Sequence, residues 1–234
     1  MKTVTAALFG ASGLTGSALL TKLLNSTQFS QVTVFVRKKL NVSDAKLIQV
    51  VVDFDQIENL AEHLRGIDTV FCCLGTTIKK AKTKQAFAAI DYQLVLDIGK
   101  QCAHAQVKHF MVISSLGANS ESKAFYNATK GRMECDIARL GLTRISVVRP
   151  SLLIGQRPEF RLAEQLSIVI TSMLGFVFIG PLAKLKPIKV SSVANAMFQI
   201  AVRDQYNGTD TGKNNHIEFI ENDTLHRLAD AAKE

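Results

Sequence analysis

A chain of 234 residues with 47% hydrophobic side chains is long enough to bury a large core, which excludes disordered and collagen-like classes. Its formal charge of +8 arises from Lys and Arg spread along the chain rather than gathered in a tail. With no Trp, three Tyr and no basic run interleaved with aromatics, it offers no stacking platform for single strands, and no nucleic-acid partner is expected.

The first predicted strand is the apolar run Thr3 to Phe9, and it leads into Gly10-Ala11-Ser12-Gly13-Leu14-Thr15-Gly16. Leu14 to Leu24 then places Leu19, Leu20, Leu23 and Leu24 on one helical face. Three glycines at this spacing between strand and helix suit a phosphate-binding turn. Gly10 bends the chain off the strand, Gly13 clears the approach of a pyrophosphate, and Gly16 lets helix and strand lie close. The amides and positive dipole at the helix start favour the anion. A tight turn with no ligand is the competing reading.

Gln31 to Val36 is short and β-branched, a second buried parallel strand, and it ends in Arg37-Lys38-Lys39. Arg37 stands 21 positions beyond Gly16, where an acidic residue would hold the ribose hydroxyl of NAD. A guanidinium fork there attracts a 2′-phosphate instead, so NADPH is expected over NAD, with Lys38 beside it; a solvated turn is the alternative. Leu47 to Val52 is a third strand followed by Asp53, which can accept from an adenine amino group or simply cap a turn. Gln56 to Arg65 reads as a helix stopped by Gly66, and Ile67 to Leu74 as a fourth strand ending in Gly75-Thr76-Thr77, where a glycine lets the chain pass close to a cofactor. Lys79, Lys80, Lys82 and Lys84 follow, read as a loop that contacts phosphate or is merely solvated.

Between Gln85 and Gln106 the positions Phe87, Ile90, Leu94, Leu96 and Ile98 recur at helical intervals, and Phe110 to Ile113 is a fifth strand. Unbroken alternation of strand and helix predicts a doubly wound parallel sheet. Ser114 and Ser115 close the fifth strand, and Tyr126 and Lys130, four apart, share a face of the next helix. The ammonium can then stabilise a phenolate, and a seryl hydroxyl can hold a carbonyl beside the phenol. Carbonyl reduction needs a hydride from a nicotinamide, a proton from Tyr126 and a polarising hydrogen bond from Ser115, with Ser114 assisting. Lys130 can also reach the nicotinamide ribose.

The sixth strand is Thr143 to Arg149, and Pro150 makes a firm turn after it, either under the nicotinamide or as an ordinary terminator. Leu162 to Ala183 is apolar yet interrupted by Glu164, Gln165, Gly175, Gly180 and Pro181, which suits a packed helix and loop beside a cleft better than a spanning helix, so no membrane insertion is expected. Phe176, Phe178 and Ile179 roof a pocket, join a dimer contact or fill the core. Ser191 to Val202, with Ser191 as N-cap, and Asp223 to Lys233 are closing helices.

Cys72, Cys73, Cys102 and Cys135 have no CxxC or Cys/His metal spacing and read as reduced thiols, the first two on a buried strand. His104, His109 and His216 carry no metal-like spacing, so no metal is expected. The N-terminus shows no secretory pattern, which predicts a cytoplasmic chain.

The segments GASGLTG (10–16), VRKK (36–39), VVDFD (51–55), FCCLGTT (71–77), SS (114–115), YNATKG (126–131) and VVRPSLLIG (147–155) together resemble the short-chain dehydrogenase/reductase superfamily. The likeness is to its atypical branch, similar to the Tat-interacting-protein oxidoreductases. It implies a Rossmann core in one domain over 1–234, with the core at about 1–154 and a small substrate lobe from about 155–190 and 205–234. It implies NADPH contacts through Gly10, Ser12, Gly13, Leu14, Thr15, Gly16 and Arg37, adenine contacts near Asp53 and Phe54, and further contacts at Leu74, Gly75, Tyr126, Lys130 and Pro150 to Leu153, Leu152 included. Many reductases of the superfamily carry an Asn on the helix after the fourth strand as part of a proton relay; here Asp91 is the nearest counterpart. The expected activity is NADPH-dependent reduction of a small carbonyl compound. An NADPH-binding sensor that reports to a protein partner is the alternative, and a nucleotide-sugar epimerase or dehydratase a third that the short lobe disfavours. A homodimer or protein partner is compatible with either.

Overall fold

The computed structural model describes residues 3–155, 184–206 and 216–230. In chain order these form β1 (Val4–Phe9), α1 (Leu14–Asn25), β2 (Phe29–Val36), β3 (Leu47–Val51), α2 (Leu60–Leu64), β4 (Thr69–Cys72), α3 (Ile78–Ala81) and α4 (Lys84–Ala88). A π-helical segment, Ala89–Leu94, runs on into α5 (Val95–His104), followed by β5 (His109–Ile113), α6 (Phe125–Ala138), β6 (Arg144–Arg149) and β7 (Leu153–Ile154). After 184 come β8 (Ile188–Lys189), α7 (Val190–Tyr206), β9 (His216–Glu221) and α8 (Asn222–Asp230).

Seven strands pair in parallel in the order β3-β2-β1-β4-β5-β6-β9, and β7 pairs with β8 separately. Strand alternation sends neighbouring side chains to opposite faces. Ala6 and Leu8 join one apolar cluster with Leu19, Leu23, Met197 and Leu225, whereas Ala7 and Phe9 join the other with Leu64, Ile98 and Ile137. Helices α1, α7 and α8 thus cover one face and α2, α5 and α6 the other. This is the doubly wound Rossmann-like α/β architecture that the strand–helix alternation predicts. Phe9 and Phe35 stack at 4.6 Å between ring centroids and anchor the second face.

Several expected elements differ. The helix read over Gln56 to Arg65 is only Leu60–Leu64, since Gln56 and Leu60 instead donate backbone hydrogen bonds to Asp53 and Ile57 in turns. Lys79 and Lys80 lie in a helical turn rather than a loop, because the Thr77 and Thr83 hydroxyls cap α3 and α4. Ser191 is inside α7, which begins one residue earlier. Residues 216–230, expected in a substrate lobe, complete the core: β9 adds to the edge of the sheet beside β6, and Leu225 of α8 packs into the first cluster. Of the rest of the expected lobe, 156–183 with Phe176, Phe178 and Ile179, 207–215 and 231–234 lie outside the described residues.

All four cysteines are free, and burial pushes the Cys72 thiol up to about 12. His109 is buried against the Ser146 hydroxyl at 2.8 Å, and loss of hydration, reinforced by Arg144, lowers it to about 3. Among the described residues no group of His, Cys, Asp and Glu could hold a metal ion, and no helix is long and apolar enough to cross a membrane.

The joint between β1, α1 and β4 depends on missing side chains. A Cβ on Gly16 would sit 2.1 Å from the Gly10 carbonyl oxygen, and one on Gly10, whose φ is +79°, would sit 2.6 Å from that of Cys73. Gly13 would meet only the Gly10 oxygen, at 3.2 Å. Gly16→Ala is therefore expected to lower unfolding free energy by about 3 kcal/mol, the upper end for overpacking, and Gly13→Ala by under about 1 kcal/mol. Urea unfolding of both proteins checks this; equal losses would refute it.

Candidate functional site

In a parallel sheet all strands point the same way, so their carboxyl ends share one rim. Here the order reverses between β1 and β4, the switch point at which open α/β sheets form a crevice. Gly10 leaves β1 at this rim, Arg37 and Lys38 leave β2, Asp53 follows β3, Gly75 and Thr76 follow β4, Ser114 and Ser115 follow β5, and Pro150 follows β6. One rim thus gathers the sequence-predicted positions from six strands.

Gly13 is the N-cap of α1, its N–H bonded to the Gly10 oxygen at 2.9 Å. No side chain caps α1 and no acidic residue stands in its first turn, so the amides at Leu14, Thr15 and Gly16 keep their capacity for an anion. Ser12 and Gly13 are exposed at that end. Together with the cradle that a Cβ on Gly10 or Gly16 would fill, the residues present fit a dinucleotide phosphate.

Arg37 and Lys38 are exposed just beyond β2. The Asp53 carboxylate accepts the Asp55 N–H at 3.0 Å, which gives it the turn role weighed for it in the sequence. Phe54 sets its ring edge against Phe9 at 6.4 Å, and Leu74 packs on the same cluster. Leu152 is exposed, whereas Leu153 pairs with Ile188 and packs on the first cluster.

Helix α6 lacks an apolar stripe. Its inner face carries Thr129, Lys130, Met133, Glu134 and Ile137, so polar groups point where packing would otherwise decide. Tyr126 is half-buried in the first turn, its ring centroid 5.4 Å from that of Phe87, which also meets Phe125 at 5.9 Å. Lys130 Nζ lies 2.8 Å from Asp91 Oδ1 in an ion pair buried on both sides, and donates to the Ile113 carbonyl at 3.4 Å. Asp91 Oδ2 accepts the Thr76 N–H at 2.8 Å. Ser114 and Ser115 are buried, and neither hydroxyl has a hydrogen-bond partner among the described residues. A hydroxyl so placed costs about 1–3 kcal/mol until something bonds to it.

One turn beyond Lys130, Glu134 receives the Arg149 guanidinium side-on, with Nε to Oε1 at 3.0 Å, and Arg149 Nη1 reaches Glu221 at 2.9 Å. The Glu134 bond, then that to Glu221, raises the guanidinium above its ordinary range against the opposing cost of burial. Arg149 also lies 4.3 Å over the Phe219 ring. The sequence reading missed Glu134 and Arg149, and the signal was available: Tyr126, Lys130 and Glu134 recur every four residues on one helix face. Asn222 was missed too. It is fully buried, accepts the Ser151 N–H at 3.0 Å and donates to the Lys186 carbonyl at 2.8 Å, so it fastens the turn after Pro150.

Residues 10–157 match the NAD(P)H-binding family model. Protein HTATIP2 of Rattus norvegicus is 37% identical over 163 residues, covering 68% of this chain and 67% of its own. Protein FMP52, mitochondrial, of Debaryomyces hansenii is 34% identical over 159 residues, 67% of this chain and 70% of its own. The resemblance to Tat-interacting-protein oxidoreductases is thereby met. Among solved structures, the oxidoreductase ylbE of Lactococcus lactis superposes with a TM-score of 0.65 at 15% identity, over 97% of this chain and 96% of its own. MoeE5 in complex with UDP-glucuronic acid and NAD gives 0.66 at 18% identity, over 93% and 76%. At such identities these structures establish the fold. The FMP52 relatives are mitochondrial by name, which overturns the expected cytoplasmic location: lack of a secretory pattern selects no compartment.

Removing Glu134 takes the side-on hydrogen bonds from Arg149, which keeps Glu221. Glu134→Ala is expected to lose about 2–3 kcal/mol of unfolding free energy. Asp97→Ala, which removes the more exposed pair with Lys100, is expected to lose under about 1 kcal/mol. Chemical denaturation distinguishes them, and similar losses would show that the Arg149 network contributes little.

Proposed function

The chain belongs to the NAD(P)H-binding family, among relatives of the Tat-interacting protein, and from that premise we propose that it is an NADPH-dependent reductase of a small, fairly apolar carbonyl compound. The observation that supports this reading is the pair of buried hydroxyls on Ser114 and Ser115 at the end of β5, unpartnered among the described residues. They stand at the same rim as the helix bearing Tyr126 and Lys130. A substrate carbonyl supplies the acceptor those hydroxyls lack.

Gly10, Ser12, Gly13 and the first amides of α1 would hold the dinucleotide phosphates, Arg37 and Lys38 the 2′-phosphate, and Gly75, Thr76, Lys130 and the Pro150 to Leu153 turn the nicotinamide half. When bound, the reduced dinucleotide supplies a hydride to the carbonyl carbon and is itself oxidised. Ser115, assisted by Ser114, donates a hydrogen bond to the carbonyl oxygen and orients it. As the carbon–oxygen π pair moves onto that oxygen, the Tyr126 hydroxyl gives it a proton, and the product is an alcohol. Lys130 holds its ammonium one helical turn away, where it stabilises the phenolate left behind. A guanidinium at Arg37 offers a charge-assisted fork to a phosphate, and nothing comparable to a bare ribose hydroxyl.

Tyr126→Phe is expected to lower turnover by about 10²–10⁴-fold while NADPH affinity stays within about threefold. NADPH consumption across a panel of aldehydes, ketones and quinones, with saturation confirmed in the same samples, is the measurement. If both proteins saturate and neither consumes NADPH, the reductase reading fails and an NADPH-binding regulatory protein replaces it.

Arg37→Ala is expected to weaken NADPH binding by about 10–100-fold and leave NADH binding nearly unchanged, as loss of a charge-assisted pair requires. Calorimetric titration with each cofactor tests this. Equal effects on both would mean that Arg37 does not read the 2′-phosphate.

A further inference from the structure

Asp91 is the one fully buried acidic side chain among the described residues that stands on the helix between β4 and β5, and it arrives there by an irregularity. The run from Lys84 to His104 is interrupted by the π segment Ala89–Leu94, whose extra residue per turn rotates the face that follows. Ile90, which the apolar spacing assigns to the inner face, is 36% exposed, and Asp91 is 0% exposed in its place. A carboxylate put in the core by a distorted turn, at the cost of an apolar residue, calls for a reason other than packing.

Its two oxygens go to two different parts of the site. Oδ2 takes the Thr76 N–H, and Oδ1 faces Lys130 Nζ, each at 2.8 Å. The Gly75 backbone lies directly over the pair, since a Cβ there would be 3.3 Å from Asp91 Oδ1 and 4.0 Å from Lys130 Nζ. Lys130 Nζ in turn donates to the Ile113 carbonyl, the last residue of β5 before Ser114. One carboxylate therefore joins the turn after β4, the end of β5 and the middle of α6.

We propose that Asp91 is a positioning residue for the cofactor: it sets the Gly75–Thr76 turn and the Lys130 ammonium in a fixed relation, so that both meet the nicotinamide ribose together. The inference rests on the dinucleotide reading of the site. Asp91 touches neither substrate nor cofactor in this scheme and acts through Lys130 and Thr76. An amide at 91 could still accept from Thr76 but offers no counter-charge to Lys130, so the aspartate is required by the lysine.

The test is a double-mutant cycle on the full chain, read by NADPH fluorescence titration and, with a carbonyl that the wild type reduces, by kcat and KM separately. Asp91→Asn and Lys130→Met are each expected to weaken NADPH binding by about tenfold and to lower kcat by about 10²-fold with carbonyl KM little changed. The double variant, which removes both buried charges, is expected to be no worse than Lys130→Met alone. Additive losses in the cycle, or wild-type NADPH affinity in Asp91→Asn, overturn the proposal. Asp91→Glu keeps the charge and displaces it by one methylene; it is expected to melt close to the wild type while binding NADPH more weakly, and wild-type affinity in this variant also overturns the proposal, whether or not the single charge deletions fold. If the wild type binds NADPH but reduces no carbonyl, the reductase reading fails while the binding cycle still decides the role of Asp91.

Discussion

The site depends on an approach of backbones that no side chain would permit. Gly10 follows β1, Gly16 stands in the first turn of α1, and the Cys73 carbonyl follows β4, all within a few ångströms. The Cys73 N–H to Phe9 carbonyl bond, at 3.0 Å, keeps β4 level with β1, and the Gly13 N–H to Gly10 bond closes the turn. Because helix, turn and neighbouring strand are fixed relative to one another, the open amides of α1 face the crevice at the switch point instead of the sheet. The half of the candidate site proposed to hold the dinucleotide is thus made of backbone, and topology places it.

The other half is made of side chains, and topology alone does not place those. Helix α6 must hold Tyr126 and Lys130 at the rim while crossing the sheet face without an apolar stripe to hold it down. Beside Met133 and Ile137 in the second cluster, two ion pairs do this work in sequence along one face: buried Lys130 with Asp91, then buried Glu134 with part-exposed Arg149. The second pair joins α6 to β6 and, through Glu221, to β9. Paired buried charges are no more stabilising than well-packed apolar residues of similar size, but they tolerate fewer alternative arrangements, which suits a helix whose register matters. Asn222 plays a similar part for the turn after Pro150 by satisfying backbone groups from Ser151, Lys184 and Lys186.

What was legible in the sequence follows from period and spacing. The parallel strands, the leucine face of α1, the turn at Gly10 to Gly16 and the placement of Tyr126 and Lys130 on one helix all depend on local regularity, and the structure has them where the sequence puts them. Asp91 was not placed, because helical periodicity assumes 3.6 residues per turn and the π segment breaks that count at the residue that matters. Strand β9 was missed because His216–Glu221 is an edge strand with one fully buried residue, Ile220, so its apolar signal is thin. The Glu134–Arg149, Arg149–Glu221 and Ser151–Asn222 contacts join residues 15 to 72 positions apart, so the four-residue step on α6 marks Glu134 while no local pattern names the partners.

The two halves also respond differently to change in evolution or design. A backbone cradle accepts any dinucleotide phosphate and gives little choice among cofactors or substrates. On the proposed reading, selectivity comes from what is added at its margins: Arg37 and Lys38 on one side, and the buried serines with the helix of Tyr126 on the other. Both margins are set by charge or by hydrogen bonding in surroundings that packing does not determine, so single residues can redirect them without disturbing the sheet. A chain can therefore keep the whole fold of the structures it resembles, including MoeE5 in complex with UDP-glucuronic acid and NAD, and, on the proposed reading, take its chemistry from about six side chains that overall likeness does not see.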